Sequence, residues 1–157
     1  METVETRVSF IGKGEWGMGN VNTQDRHGHT PLMDAAKEGD LEGFRDLLHR
    51  GADVTVRSIK GKTALHYAAA HGHADIIRDL LERGAEVDAR DRDGHTPLML
   101  AAIYGCNHTV QALLNGGADL QAKTLLGNTA MIYAQSNNHP LTLAILQKAH
   151  RVKQVTA

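Results

Sequence analysis

Residues Ser58 to Arg90 read SIKGKTALHYAAAHGHADIIRDLLERGAEVDAR. The stretch holds a polar turn around Gly61, a Thr63 placed to cap a helix, and a short Ala-rich segment. Gly72 follows as a break, then a segment with Ile77, Leu80 and Leu81 at helical spacing, and a closing Gly84-Ala85. The same grammar recurs on both sides of it at a step of 33 residues. Gly28, Gly61, Gly94 and Gly127 form one column, and Thr30, Thr63, Thr96 and Thr129 another. Leu32, Leu65, Leu98 and Met131 form a third, Ala35, Ala68, Ala101 and Ala134 a fourth, and Leu47, Leu80, Leu113 and Leu146 a fifth. A period of this length predicts a stacked array in which each unit buries its apolar face against its neighbours.

Each column has a physical reading. Gly28 and its equivalents sit between polar residues, where a tight turn needs positive φ. Pro31 and Pro97 follow the capping threonines at a helix position that tolerates a missing N–H. Gly39, Gly72 and Gly105 stop the first helix of each unit. Phe44-Leu47-Leu48, Ile77-Leu80-Leu81 and Val110-Leu113-Leu114 give the second helix its apolar stripe. These are core and turn positions, and none is a site.

The pattern closely resembles the ankyrin repeat. Thr30-Pro31-Leu32 and Thr96-Pro97-Leu98 carry that family's opening signature, and the likeness runs from Asp25 to about His150. It implies an all-α solenoid of helix-turn-helix units joined by β-hairpin-like loops. Four repeats are expected at 25–57, 58–90, 91–123 and 124–150, the last a capping repeat. Residues 1–24 are read as a leader or partial cap, and 151–157 as a frayed tail. In the last unit Gln135, Asn138 and Gln147 replace Ala, Gly and Leu, which suits a repeat with no neighbour beyond it. Gly19-Asn20-Val21-Asn22 matches the closing segment of a repeat. Val8-Ser9-Phe10-Ile11, with Trp16, is expected to lie on the first repeat as an apolar cap, the alternative being a flexible leader with its own binding motif.

Composition narrows the function classes. A 157-residue chain with net charge −1 lacks the strong positive charge of a general nucleic-acid or membrane binder. One cysteine, Cys106, permits no intrachain disulfide, and a reducing compartment is expected: the cytoplasm, with the nucleus as an option. No apolar run approaches membrane-spanning length, and the N-terminus has no signal-like apolar core. Gly12-Lys13-Gly14-Glu15-Trp16-Gly17 fits G-x-G-x-x-G, but no helix can open at Gly17-Met-Gly, so no dinucleotide site follows. The histidine pairs His27/His29 and His71/His73 sit in different repeats, so they offer no four-ligand zinc cage. In the family His66 matches a histidine that links repeats by hydrogen bonds. Cys106 and His108 have no third orienting group, so neither catalysis, a metal nor a cofactor is expected.

The resemblance implies that a partner sits on the hairpin tips and the outer face of the first helices. The partner-binding candidates are Arg26, His29, Lys37, Arg57, Ile59, Lys60, Lys62, His71, Arg90, Arg92, His95, Ile103, Tyr104, Lys123, Leu125 and Leu126. Lys and Arg dominate this set over Glu38 and Asp93 at neighbouring positions, which predicts a basic concave face for an acidic or phosphorylated protein segment. The competing explanation is that tip charges only keep the array soluble. Ile59, Ile103, Tyr104, Leu125 and Leu126 are apolar where solvent is expected, with Tyr104 as the best anchor. Leu125 and Leu126 either join that surface or pack on each other or on a neighbouring chain. The reading is a non-catalytic adaptor or inhibitor, monomeric. Nucleic acid or a phosphate ligand in the same basic groove is the alternative, weakened by the shortage of aromatic stacking platforms.

Overall fold

The computed structural model describes residues 19–156, all of them in helices or loops. The expected apolar cap at Val8–Ile11 with Trp16 and the glycine motif at 12–17 lie outside the described residues. Among the described residues, eight helices alternate between two layers. The inner layer is α1 (Pro31–Glu38), α3 (Ala64–His71), α5 (Pro97–Ile103) and α7 (Ala130–Ser136), and the outer layer is α2 (Leu41–His49), α4 (Ala74–Glu82), α6 (Asn107–Asn115) and α8 (Pro140–Val155). Each inner helix packs on the next inner one, and each outer helix on the next outer one. Sequence neighbours form the antiparallel pair of each repeat.

The repeating residues account for this order. Thr30, Thr96 and Thr129 are extended and accept a hydrogen bond from the third residue beyond them, so α1, α5 and α7 start where the columns predict. Ala35, Ala36, Ala68, Ala69, Ala101 and Ala102 are buried between the layers, where small side chains let the helices approach. Phe44, Leu47, Ile77, Leu80, Val110, Leu113 and Leu146 join them in one continuous core. Val21 is buried in that core as well, and Asn22 Oδ1 accepts the Asp53 N–H at 2.8 Å, as Asp88 Oδ1 accepts that of Asp119 at 2.9 Å. Residues 19–22 therefore act as the closing segment of a repeat.

The glycines that end the inner helices do two things at once. Gly39, Gly72 and Gly105 have φ of 75°, 80° and 67°. A Cβ on Gly39 would also stand 2.4 Å from the His73 ring, and one on Gly105 2.6 Å from His139. The residue that caps the outer helix of the following repeat fills the space that the missing side chain leaves. His73 Nε2 donates to the Lys37 carbonyl at 3.0 Å and His139 Nε2 to that of Ile103 at 2.9 Å, tying neighbouring repeats together.

The chain end departs from expectation. Residues 151–155 are not a frayed tail: α8 runs on to Val155. Its extra turns carry no Gly or Pro, and they are anchored. Lys153 Nζ donates to the Ala118 carbonyl at 3.4 Å, and His150 Nδ1 lies 3.0 Å from Gln121 Nε2.

Candidate functional site

The hairpin tips form one laced row. In each tip the N–H of the glycine bonds back three residues, as in Gly28 to Asp25 and Gly61 to Ser58. The hairpin is closed by pairs such as Asp25 N–H to the His29 carbonyl and Asp91 N–H to that of His95. A side-chain oxygen at the first position locks the turn. Asp25 Oδ1, Ser58 Oγ, Asp91 Oδ1 and Thr124 Oγ1 accept the N–H of His29, Lys62, His95 and Asn128, respectively. Tip then joins tip: Ile59 N–H donates to the His27 carbonyl at 3.0 Å, Arg92 to Lys60 at 3.0 Å, and Leu125 to Asp93 at 3.2 Å. Arg26, Lys60, Arg92 and Leu125 therefore stand along one edge, all exposed.

The structure divides the expected contact residues into two groups. Arg57 Nη1 donates to the carbonyls of Arg90, at 2.7 Å, and Gly61, while Nη2 reaches Glu86 at 3.3 Å. Arg90 Nη1 donates to the Lys123 carbonyl at 2.5 Å. Gln24 begins the same ladder with its amide on the Arg57 carbonyl. These side chains fasten each repeat to the next. His29 Nε2 meets the Tyr67 hydroxyl at 2.8 Å and His95 Nε2 that of Tyr133 at 3.1 Å, so these imidazoles are bridges as well. Lys62 is partly covered, with Nζ 4.0 Å from Asp91.

The second group is unencumbered. Lys37, Lys60, Arg92 and Lys123 are exposed, and their side chains make no hydrogen bond or ion pair with a described residue. Arg26 touches only His27. Tyr104, just past the end of α5, is 61% exposed, Leu125 78% and Leu126 88%, and Ile59 is also outward. Ile103 is half-buried. His71 is exposed at the end of α3, stacked on His73, with its pKa lowered by partial burial and then by that neighbour. The charge contrast is smaller than expected. Asp25, Asp34 and Asp91 join Glu38 and Asp93 on this side, although Asp25 and Asp91 are held by turn N–H groups.

His66 holds the array from inside. It is fully buried, Nδ1 accepts the Thr63 N–H at 3.1 Å, and Nε2 donates to the His95 carbonyl at 3.1 Å. Burial pushes its pKa down to about 4. The role expected from the family motif, a link between repeats, is what the hydrogen bonds show. Asp91, Asp93 and His95 bring possible ligand atoms within 4.8 Å of one another, but the Asp91 carboxylate already accepts the N–H groups of Asp93 and His95. That proximity belongs to the tip turn.

Paired short helices with outward hairpins, stacked at a constant period, define a helical repeat protein of the interaction type. A profile of the ankyrin repeats matches in three overlapping stretches, 20–91, 56–124 and 86–156, and the chain belongs to that family. Its members are generally protein-interaction modules and typically lack chemistry of their own. No curated protein matches the chain. No helix of the described residues is long and apolar enough to cross a membrane.

Proposed function

We propose that this chain is a non-catalytic protein-binding module, an adaptor or an inhibitor, which holds an acidic or phosphorylated protein segment along its row of tips. One observation carries the reading. The tips are fixed by main-chain hydrogen bonds, yet Lys60, Arg92 and Leu125 project from them without engagement, and Tyr104 stands exposed at the far end of α5. Because the main chain of the tips is already fixed, binding orders the side chains alone and not the loops that carry them, which favours affinity. Free ammonium and guanidinium groups steer an acidic partner, and an exposed aromatic ring supplies a central anchor. Arg57, Arg90, His29 and His95 contribute to the shape of this face rather than to its charge, because their donors face the array. The module acts as a monomer in a reducing compartment, in keeping with its single half-buried Cys106, whose thiol pKa burial raises.

The test is fluorescence anisotropy with a library of acidic and phosphorylated peptides against the wild type and a triple variant Lys60→Glu, Arg92→Glu, Tyr104→Ala. The expected result is a loss of at least about tenfold in affinity at unchanged stability, since exposed substitutions usually move stability by under about 0.5 kcal/mol. Equal affinity in the two proteins would exclude this face.

A further inference from the structure

We infer that the hollow between the first two tips is a subsite for the phosphorylated ring of a phosphotyrosine in the bound segment, an assignment that rests on the function proposed above. The hollow holds about 360 Å³ and is lined by His27, His29, Ile59, Lys60, Lys62 and Tyr67. A cavity of about 150 Å³ is enough for a benzene ring, so an aryl group fits with room for its phosphate.

The lining has two chemistries that match the two halves of such a ligand. Ile59, 53% exposed, and the Tyr67 ring offer apolar and aromatic walls. Lys60 brings an unpaired ammonium group, and Lys62 a second whose Nζ lies 4.0 Å from Asp91; together they suit a phosphoryl group whose charge lies between about −1.5 and −2. Arg26 Nε donates to His27 Nε2 at 3.1 Å, which places the proton of the neutral ring on Nδ1, a further donor. The frame is rigid: Ile59 N–H bonds the His27 carbonyl, Ser58 N–H the Lys62 carbonyl, and the Tyr67 hydroxyl lies between His29 and Ser58.

Two other hollows lack this combination. One, near His73 and His108, offers a single guanidinium, Arg78, which is paired with Asp75 of the same lining, and it has no tyrosine wall. The other sets Arg45 and Arg83 beside the carboxylates of Asp79 and Glu82, with Arg45 on Asp79 at 2.7 Å, and has no tyrosine in its wall. Phosphoserine would leave the apolar walls bare, and a carboxylate would bring half the charge.

The experiment titrates the ¹⁵N-labelled full chain with phenyl phosphate and, separately, with O-phosphoserine. Phenyl phosphate is expected to shift the amides of residues 27–29 and 59–62 and to leave those of 125–127 in place. Lys60→Glu should weaken it at least tenfold, and the exposed control Lys148→Glu should not. Undisturbed amides at 27–29 and 59–62, or equal affinity in Lys60→Glu, would overturn the assignment. Phosphoserine binding as tightly as phenyl phosphate would overturn its aryl part. If phenyl phosphate fails here while acidic peptides still depend on Arg92 and Tyr104, this subsite falls and the proposed function stands.

Discussion

The second repeat and the fourth are written in the same pattern but stand in different surroundings. In the second, His66 is fully buried against the third repeat, as Met33 and Met99 are buried against theirs. In the fourth, the equivalent Ile132 is 43% exposed. Ala69 is buried, whereas its counterpart Gln135 is exposed. The Lys60 carbonyl receives an N–H from the following tip, and that of Leu126 has no following tip among the described residues. Column identity therefore does not set burial by itself. A position becomes core only when a repeat lies beyond it, as expected for a quasi-one-dimensional stack.

The sharpest way to break this comparison uses the tip glycines. Gly28 has φ of +74°, and a Cβ there would meet the Ile59 main-chain nitrogen at 2.8 Å. Gly127 has φ of +83° and nothing within 4 Å. Gly28→Ala should cost about 3 kcal/mol or more, because strain is joined by the forced separation of two tips. Gly127→Ala should cost about 1 kcal/mol for the backbone conformation alone. Urea unfolding of the two variants measures the difference, and equal losses would show that the next repeat does not matter there.

The second effect is a pH response centred on His66. Folding lowers its pKa from 6.5 to about 4. Above pH 6.5 neither the folded nor the unfolded chain carries the proton. Between 6.5 and 4 only the unfolded chain takes it up, so stability falls as the pH falls through that window and this contribution levels off below it. The loss is roughly 3 kcal/mol. His66→Met, which copies Met33 and Met99, should reduce the acid-induced fall by about that amount in denaturant titrations at pH 7 and pH 4. An unchanged fall would assign the sensitivity to other groups.

The smallest effect sharpens the comparison at the open end. Asn138 takes the place of the mid-repeat glycine with φ of 57°, a conformation that asparagine tolerates better than most residues. Asn138→Gly should raise stability by about 0.5 kcal/mol. A thermal melt in which the variant is less stable would show that the Asn138 side chain makes a contribution of its own.

Much of this was legible because it is local or periodic. The capping threonines, Pro31, Pro97 and the leucine columns announce the helix pairs, and the tripeptides at Thr30 and Thr96 announce the family. The split among candidate site residues was not legible, since it depends on direction. Arg57 and Arg90 differ from Arg92 only in whether the guanidinium turns along the stack or away from it. A signal did exist: Gln24, Arg57 and Arg90 are long donors in one column, 33 residues apart, just ahead of each tip. The locking oxygens of Asp25, Ser58, Asp91 and Thr124 form another column that residue-by-residue reading passes over. The extension of α8 was hidden because its anchors, Ala118 and Gln121, belong to the previous repeat.

The lacing of the tips has a consequence for redesign. Loop posture is governed by peptide groups and by residues one step off the crest, so the letters at Arg26, Lys60, Arg92 and Leu125 are free to change without altering how the loops stand. Retargeting such a protein becomes a matter of rewriting its crest while leaving the foundations untouched.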